Sequence, residues 1–290
     1  MKSASTRLAL LALAATLLTT ACSPGIVHHS TYYTDTSRPA RYQDSRIRFL
    51  VMHYTEIDEK QSLDVLTQEQ VSAHYVVPDH PKEEHGEPIV WQLVPESQRA
   101  RHAGVSSWQG TTELNAASIG IEIVNLGPID GPQGRTWQPY PPQQVDAMIR
   151  LAKDIVTRYN IPPTRVVGHS DIAPQRKIDP GPVFPWKQLY DAGVGAWPDD
   201  ATVTKELAGR DPHAPADVRA LQQKLARYGY DIATDGVLDD RTRRVFGAFQ
   251  MHFRPTDYSG NPDAQTDAIA QALLDKYMPD AAPEPARTAP

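Results

Sequence analysis

Residues 47–54, IRFLVMHY, constrain the fold more than any other stretch of the chain. A run so rich in β-branched and apolar residues reads as a buried strand. Three further segments carry strand character: 72–77 (SAHYVV), 89–94 (IVWQLV) and 119–124 (IGIEIV), the last alternating apolar with other residues. Residues 141–160 give the clearest helix, with Val145, Met148, Ile149, Ala152, Ile155, Val156 and Tyr159 at helical spacing and two prolines at its start. Ser62 is placed to cap a short helix, and Val166 and Val167 form a short strand leading into Gly168 and His169. Strands mixed with helices predict an α/β layered fold.

The ends differ from this central block. Lys2 and Arg7 precede an apolar run at residues 8–18, too short to anchor across a bilayer and flanked like a secretory signal. Small residues then lead to Cys22, which resembles the lipidated first residue of bacterial lipoproteins. Ser23 behind it, by resemblance to Gram-negative lipoproteins, points to the outer membrane, facing the periplasm. Residues 1–21 are therefore expected to be a signal peptide and 22–44 a tether. With one cysteine, no internal disulfide can form, so the fold must stand on its core or a metal. Residues 45–200 are the expected catalytic domain and the polar stretch 201–214 a linker. Residues 215–278 form a small three-helix unit, with Val218, Leu221, Leu225 and Tyr228 on one stripe ended by Gly229. The Ala- and Pro-rich tail, 279–290, is expected to be disordered. A net charge of −6 argues against nucleic acid as a partner.

Of ten histidines, His28, His29, His80 and His85 lie in polar segments and read as solvated, and His213 and His252 show no partner pattern. His53 ends an apolar strand, His169 follows one, and Asp179 comes ten residues later. Two histidines and a carboxylate suit a catalytic zinc with an open position. By spacing alone, a core histidine satisfied by hydrogen bonds is the better explanation of each position.

Six segments, in order across residues 45–190, resemble the zinc-dependent N-acetylmuramoyl-L-alanine amidases, which include phage T7-type lysozymes and peptidoglycan recognition proteins. They are VMHYT (51–55), SAHY (72–75), RHAG (101–104), SIGIE (118–122), VGHSD (167–171) and KIDPG (177–181). The resemblance implies a mixed central sheet flanked by helices. It makes His53, His169 and Asp179 zinc ligands, Glu122 the group that deprotonates water and passes the proton on, and Lys177 the stabiliser of the oxyanion. Tyr54, His74 and His102 would line the cleft or orient ligands, with packing roles equally open. Arg101 and Asn125 are candidates for peptide or sugar contacts. Leu221, Gln222, Leu225, Gly229, Tyr230, Asp235, Gly236, Thr242, Val245, Phe249 and Gln250 resemble a three-helix peptidoglycan-binding domain. A second weak site on one polymer would hold the first near its substrate. The expected partners are peptidoglycan and muropeptides, the expected activity zinc-dependent hydrolysis of the muramoyl–L-alanine amide, and the expected state a monomer. The rivals are a recognition protein that binds without cleaving and a zinc peptidase cutting within the stem peptide.

Overall fold

The computed structural model describes residues 25–279. The signal segment, Cys22 and tail residues 280–290 lie outside that range. None of the described helices is long and apolar enough to cross a membrane. Residues up to Asp44 group as one unit, Ser45–Pro290 as another. In the first, the stretch read as a tether carries an antiparallel ladder of Ile26–His28 with Tyr33–Asp35.

The second unit is built on a five-stranded sheet. Its strands are β1 (Phe49–Tyr54), β2 (Tyr75–Val77), β3 (Trp91–Gln92), β4 (Ser118–Ile123) and β5 (Val166–Gly168), in the spatial order β5-β1-β4-β2-β3. All pairs are parallel except β2 with β3. This is the mixed sheet the resemblance implies. β3 is shorter than the expected strand at 89–94, because Pro88 and Pro95 flank it and it lies at the sheet edge, where Trp91 is exposed.

The helices are α1 (Glu59–Gln68), α2 (Pro142–Tyr159), α3 (His169–Ile172), α4 (Trp186–Asp191), α5 (Asp200–Leu207), α6 (Val218–Tyr228), α7 (Asp240–Phe253) and α8 (Ala264–Tyr277). Asp58, not Ser62, caps α1: its carboxylate accepts the Gln61 N–H, while the buried Ser62 hydroxyl donates back to the Asp58 carbonyl. Asp217, Asp239 and Asp263 cap α6, α7 and α8 in the same way.

Strand periodicity divides the sheet into two faces. Leu50 and Met52 on β1, with Ile119, Ile121 and Ile123 on β4, share a core with Met148, Ala152 and Ile155 of α2. The alternate residues, including Phe49 and Val51, belong to a second core with Trp108, Leu114 and Val167. That second core continues into Leu221 and Leu225 of α6, Phe246 and Phe249 of α7 and Leu273 of α8. The three-helix unit therefore does not stand apart from the sheet.

The junction is specific as well as apolar. Trp108 meets Tyr230 edge-on at 4.7 Å between ring centroids. Gly229, at φ 146°, presses so closely on Trp108 and Gln109 that a Cβ there would lie 2.8 Å from the Gln109 side chain. Asp171 accepts hydrogen bonds from the Tyr230 hydroxyl at 2.6 Å and from His252 Nδ1 at 2.8 Å. His252, read from sequence as partnerless, is buried and stacks on Trp186 at 3.7 Å. The supposed linker also departs from expectation: residues 200–207 form α5, which packs on α8, and Lys276 of α8 reaches Asp199 and Tyr190.

Candidate metal centre and cleft

The register of the sheet assembles the site. His53 on β1 lies directly opposite Glu122 on β4, and Gly168 pairs with Met52, so His169 emerges beside His53. All three sit at the carboxyl ends of parallel strands, the edge where α/β sheets place ligands. Asp179 arrives from a loop whose carbonyl accepts the Ser170 N–H at 2.8 Å, and the Tyr140 hydroxyl donates to the next carbonyl, that of Pro180, at 2.8 Å.

His53 Nδ1 lies 3.0 Å from His169 Nδ1, and each is 3.1 Å from Asp179 Oδ2. All three residues are buried. The hydrogen-bond network fixes the tautomers. Ser118 donates its hydroxyl proton to the Leu114 carbonyl at 2.6 Å, so its oxygen accepts from His102 Nε2 at 3.1 Å. His102 Nδ1 is then an acceptor for His53 Nε2–H at 3.0 Å. His169 Nε2 lies 3.2 Å from both the Ala103 carbonyl and the Arg176 guanidinium; because Arg176 spends its proton on that same carbonyl, the imidazole donates to the carbonyl rather than accepting from the guanidinium. Both Nδ1 atoms are thereby left as bare lone pairs facing each other and a carboxylate oxygen. They cannot hydrogen-bond one another, and a cation is what such a donor set accommodates. Tetrahedral donors about 2.0–2.1 Å from zinc stand roughly 3.3 Å apart, close to the spacing seen.

The charge states agree. Burial first, then the neighbouring His169, push His53 down to about 4, and burial with the surrounding histidines holds His102 well below its usual range. Burial would raise Asp179, but the two histidines outweigh it and keep the carboxyl below the ordinary carboxylate range. Glu122 goes the other way: burial, then the Asp179 charge, raise it well above the usual value, with Lys177 partly opposing. Its Oε2 is buried and has no hydrogen-bond partner among the described residues. An unpartnered buried carboxylate oxygen is costly, and a functional site is where such a cost persists.

These groups line one cavity of about 390 Å³. Tyr54, Arg101, His102 and the exposed Lys177 share its wall, as does Arg176, which sequence reasoning missed. Arg176 donates to the Ala103 and Val105 carbonyls, bracing the loop against which His169 is held. His74 does not reach the cavity. It sits behind His102, accepting the Gly120 N–H at 3.0 Å through Nδ1. Asn125 is buried and holds a turn, accepting from Gly127 N–H and donating to the Gln138 carbonyl, so it is not free to contact substrate. Asn115, also missed, accepts the N–H groups of both His102 and Ala103 and so places the His102 ring. His28, His29, His80, His85, His213 and His252 join no metal-capable cluster among the described residues.

Paired imidazoles and a carboxylate that could hold a metal ion, with a second carboxylate lining the same cavity, are the groups a metal-assisted hydrolase would use. The profile of the N-acetylmuramoyl-L-alanine amidase family matches residues 43–182, and that of a peptidoglycan binding domain matches residues 215–269. The chain belongs to the N-acetylmuramoyl-L-alanine amidase family. It is 52% identical over 269 residues to the N-acetylmuramoyl-L-alanine amidase AmiD of Escherichia coli K12, covering 92% of this chain and 97% of that protein. The structure of E. coli AmiD in complex with anhydro-N-acetylmuramic acid-L-Ala-D-gamma-Glu-L-Lys superposes with a TM-score of 0.84 at 53% identity, over 88% of this chain and 99% of the other. AmpDh3 of Pseudomonas aeruginosa, in complex with an anhydromuramic pentapeptide, superposes with a TM-score of 0.74 at 42% identity, over 87% and 98%. The α/β sheet with a small helical C-terminal domain is the fold these relatives share.

Proposed function

We propose that this amidase uses zinc held by His53, His169 and Asp179 to hydrolyse the amide joining N-acetylmuramic acid to the L-alanine of the peptidoglycan stem peptide. The observation that carries the reading is the unpartnered Glu122 Oε2, buried in the same cavity as the three converging donor atoms. When bound, zinc supplies a Lewis acid that polarises a carbonyl and makes water nucleophilic near neutral pH. Glu122 takes the proton of the attacking water through its free oxygen. Its raised affinity for protons lets it keep that proton and deliver it to the departing alanine nitrogen. Lys177, exposed on the cavity wall with its ammonium free of any hydrogen bond among the described residues, faces the carbonyl oxygen as negative charge develops. His102 orients His53 and keeps its Nδ1 unprotonated.

Lipidation of Cys22 would fix the protein to the outer membrane, with the cleft facing the periplasm and the wall. The helical unit at 215–278 would add contacts to the polymer. The products suit wall turnover or recycling.

The test is to incubate the chain with a defined muropeptide and weigh the products. Intact stem peptide with a free L-alanine amine, lost on chelation and restored by zinc, is expected. Asp179→Ala and His169→Ala should lose zinc and activity together. Peptides cut within the stem, or full activity in either variant, would overturn the assignment.

A further inference from the structure

A second cavity, of about 480 Å³, lies beside the catalytic one. Lys177 and Ile178 line both, so a ligand leaving the metal centre over these two residues passes directly into it. One side is the antiparallel hairpin Pro128–Gly131 with Gly134–Trp137, which contributes Arg135 and Trp137. The other is α7 and the loop after it, contributing Arg243, Arg244 and Tyr258. The Trp137 indole N–H donates to the Tyr258 hydroxyl at 3.0 Å and closes the two sides together.

The groove is basic in an acidic chain. Arg135, Lys177, Arg243 and Arg244 line it against Asp240, the one acid among its described lining residues, while the whole chain carries −6. Arg135 is engaged by Asp130 and Arg243 by the neutral Asn261 side chain. Arg244 is exposed and has no hydrogen-bond or ion-pair partner among the described residues. Charge of this sign selects between the two halves of the substrate. The glycan offers hydroxyl and acetamido groups, and its lactyl carboxyl is consumed in the amide. The stem peptide carries carboxylates, including one at its far end. Extended at ~3.4 Å per residue, four or five residues span about 14–17 Å, enough to leave the catalytic cavity.

We propose that this groove binds the carboxylate-bearing far end of a tetra- or pentapeptide stem, with Arg243 and Arg244 as the residues that recognise the charge; the proposal rests on the amidase reading. The α7 unit then takes part in choosing stem length at the catalytic cleft, rather than only holding polymer elsewhere. Guanidinium groups suit this, because their planar donors pair with a carboxylate through two bonds.

The test is calorimetric binding of the free pentapeptide, as its C-terminal acid and as its C-terminal carboxamide, to the full chain. The acid is expected to bind about tenfold more tightly, the effect of one charge-assisted hydrogen-bonded contact. Arg243→Ala/Arg244→Ala should bring the two peptides level. Arg244→Ala alone, a surface change that leaves the Asn261 contact in place, should remove part of the preference even if the double variant folds poorly. Arg150→Glu on α2, away from the groove, should leave it intact. Equal binding of acid and amide by the unaltered chain would overturn the proposal. So would a preference that survives in Arg243→Ala/Arg244→Ala but vanishes in Lys177→Ala. Failure to cleave the muramoyl pentapeptide, with the acid preference retained, would sink the amidase reading and leave the groove standing.

Discussion

Gly120 offers a way to disturb the metal centre without touching a ligand. It sits on β4 between Ile119 and Ile121, on the face that carries Glu122, with the His102 ring directly against it. A Cβ at this position would lie 2.4 Å from His102 Cγ and 2.6 Å from its Nδ1 and Cδ2. Ordinary contact begins near 3.4 Å, so Gly120→Ala requires the ring to withdraw by about 1 Å. His102 is buried, and the main chain behind it is pinned by Asn115. A shift of that size stretches the 3.0 Å contact with His53 beyond hydrogen-bonding range. Overpacking costs ~1–3 kcal/mol, and stranding the buried His53 N–H costs a further ~1–3 kcal/mol. At roughly 2–4 °C per kcal/mol for a chain of this size, Tm should fall by at least about 4 °C. Zinc affinity should drop about 10–100-fold, because His53 loses the partner that fixes its tautomer. Thermal denaturation of the metal-free chain and competition with a chromogenic chelator read the two effects separately. His102→Ala supplies the cycle: the double variant should lose less than the two singles summed, since the new methyl enters space the ring has left. Zinc affinity and Tm in Gly120→Ala equal to those of the unaltered chain would refute the argument.

Two further predictions concern charge. Glu122→Gln should keep zinc, because Glu122 touches none of the three donors, yet lose activity by about 10²-fold or more; retained turnover would remove Glu122 from the chemistry. Glu96 is held down to about 2 from an ordinary 4.5 by hydrogen bonds from Arg158, Tyr75 and Tyr159 that outweigh its burial. A depressed carboxyl stabilises the fold above pH 4.5, and that contribution drains away as pH falls toward 2. Arg158→Ala should therefore cost about 1 kcal/mol at neutral pH, discounted because Arg158 is 41% exposed, and should flatten the acid loss in urea titrations between pH 4.5 and 2. An unchanged acid slope would count against the pairing.

His53 and Glu122 stood out because they interrupt strands whose other residues are mostly apolar, but patterning alone left each histidine open to a core role, and only the six ordered segments grouped His53, His169 and Asp179. The positioning shell was only half legible. Ser118, Gly120 and Glu122 share one face by simple alternation, so the role of Ser118 could have been read from period two. That His102 meets Ser118, with Asn115 holding the His102 main chain, depends on a loop crossing that no local pattern encodes. His252 escaped for the same reason, since its partner Asp171 lies 81 residues away. The linker misled through composition: residues 200–207 are mostly polar because α5 lies on the surface of α8 with no fully buried residue.

The core that runs from Phe49 and Val51 into Phe246 and Phe249 bears on how the enzyme searches its substrate. A module on a slack leash explores a volume and lets the blade strike wherever it swings. Here Ser45–Pro290 group as one compact unit, and the helical unit and the sheet that carries the cleft share one core. If the helices rest on the wall as proposed, the stretch they hold would dictate which amide lies at the cleft, and the search would go by letting go and landing again, not by pivoting. Its reach would then be a fixed offset along the polymer, set by the packing of aromatic rings such as Trp108 on Tyr230.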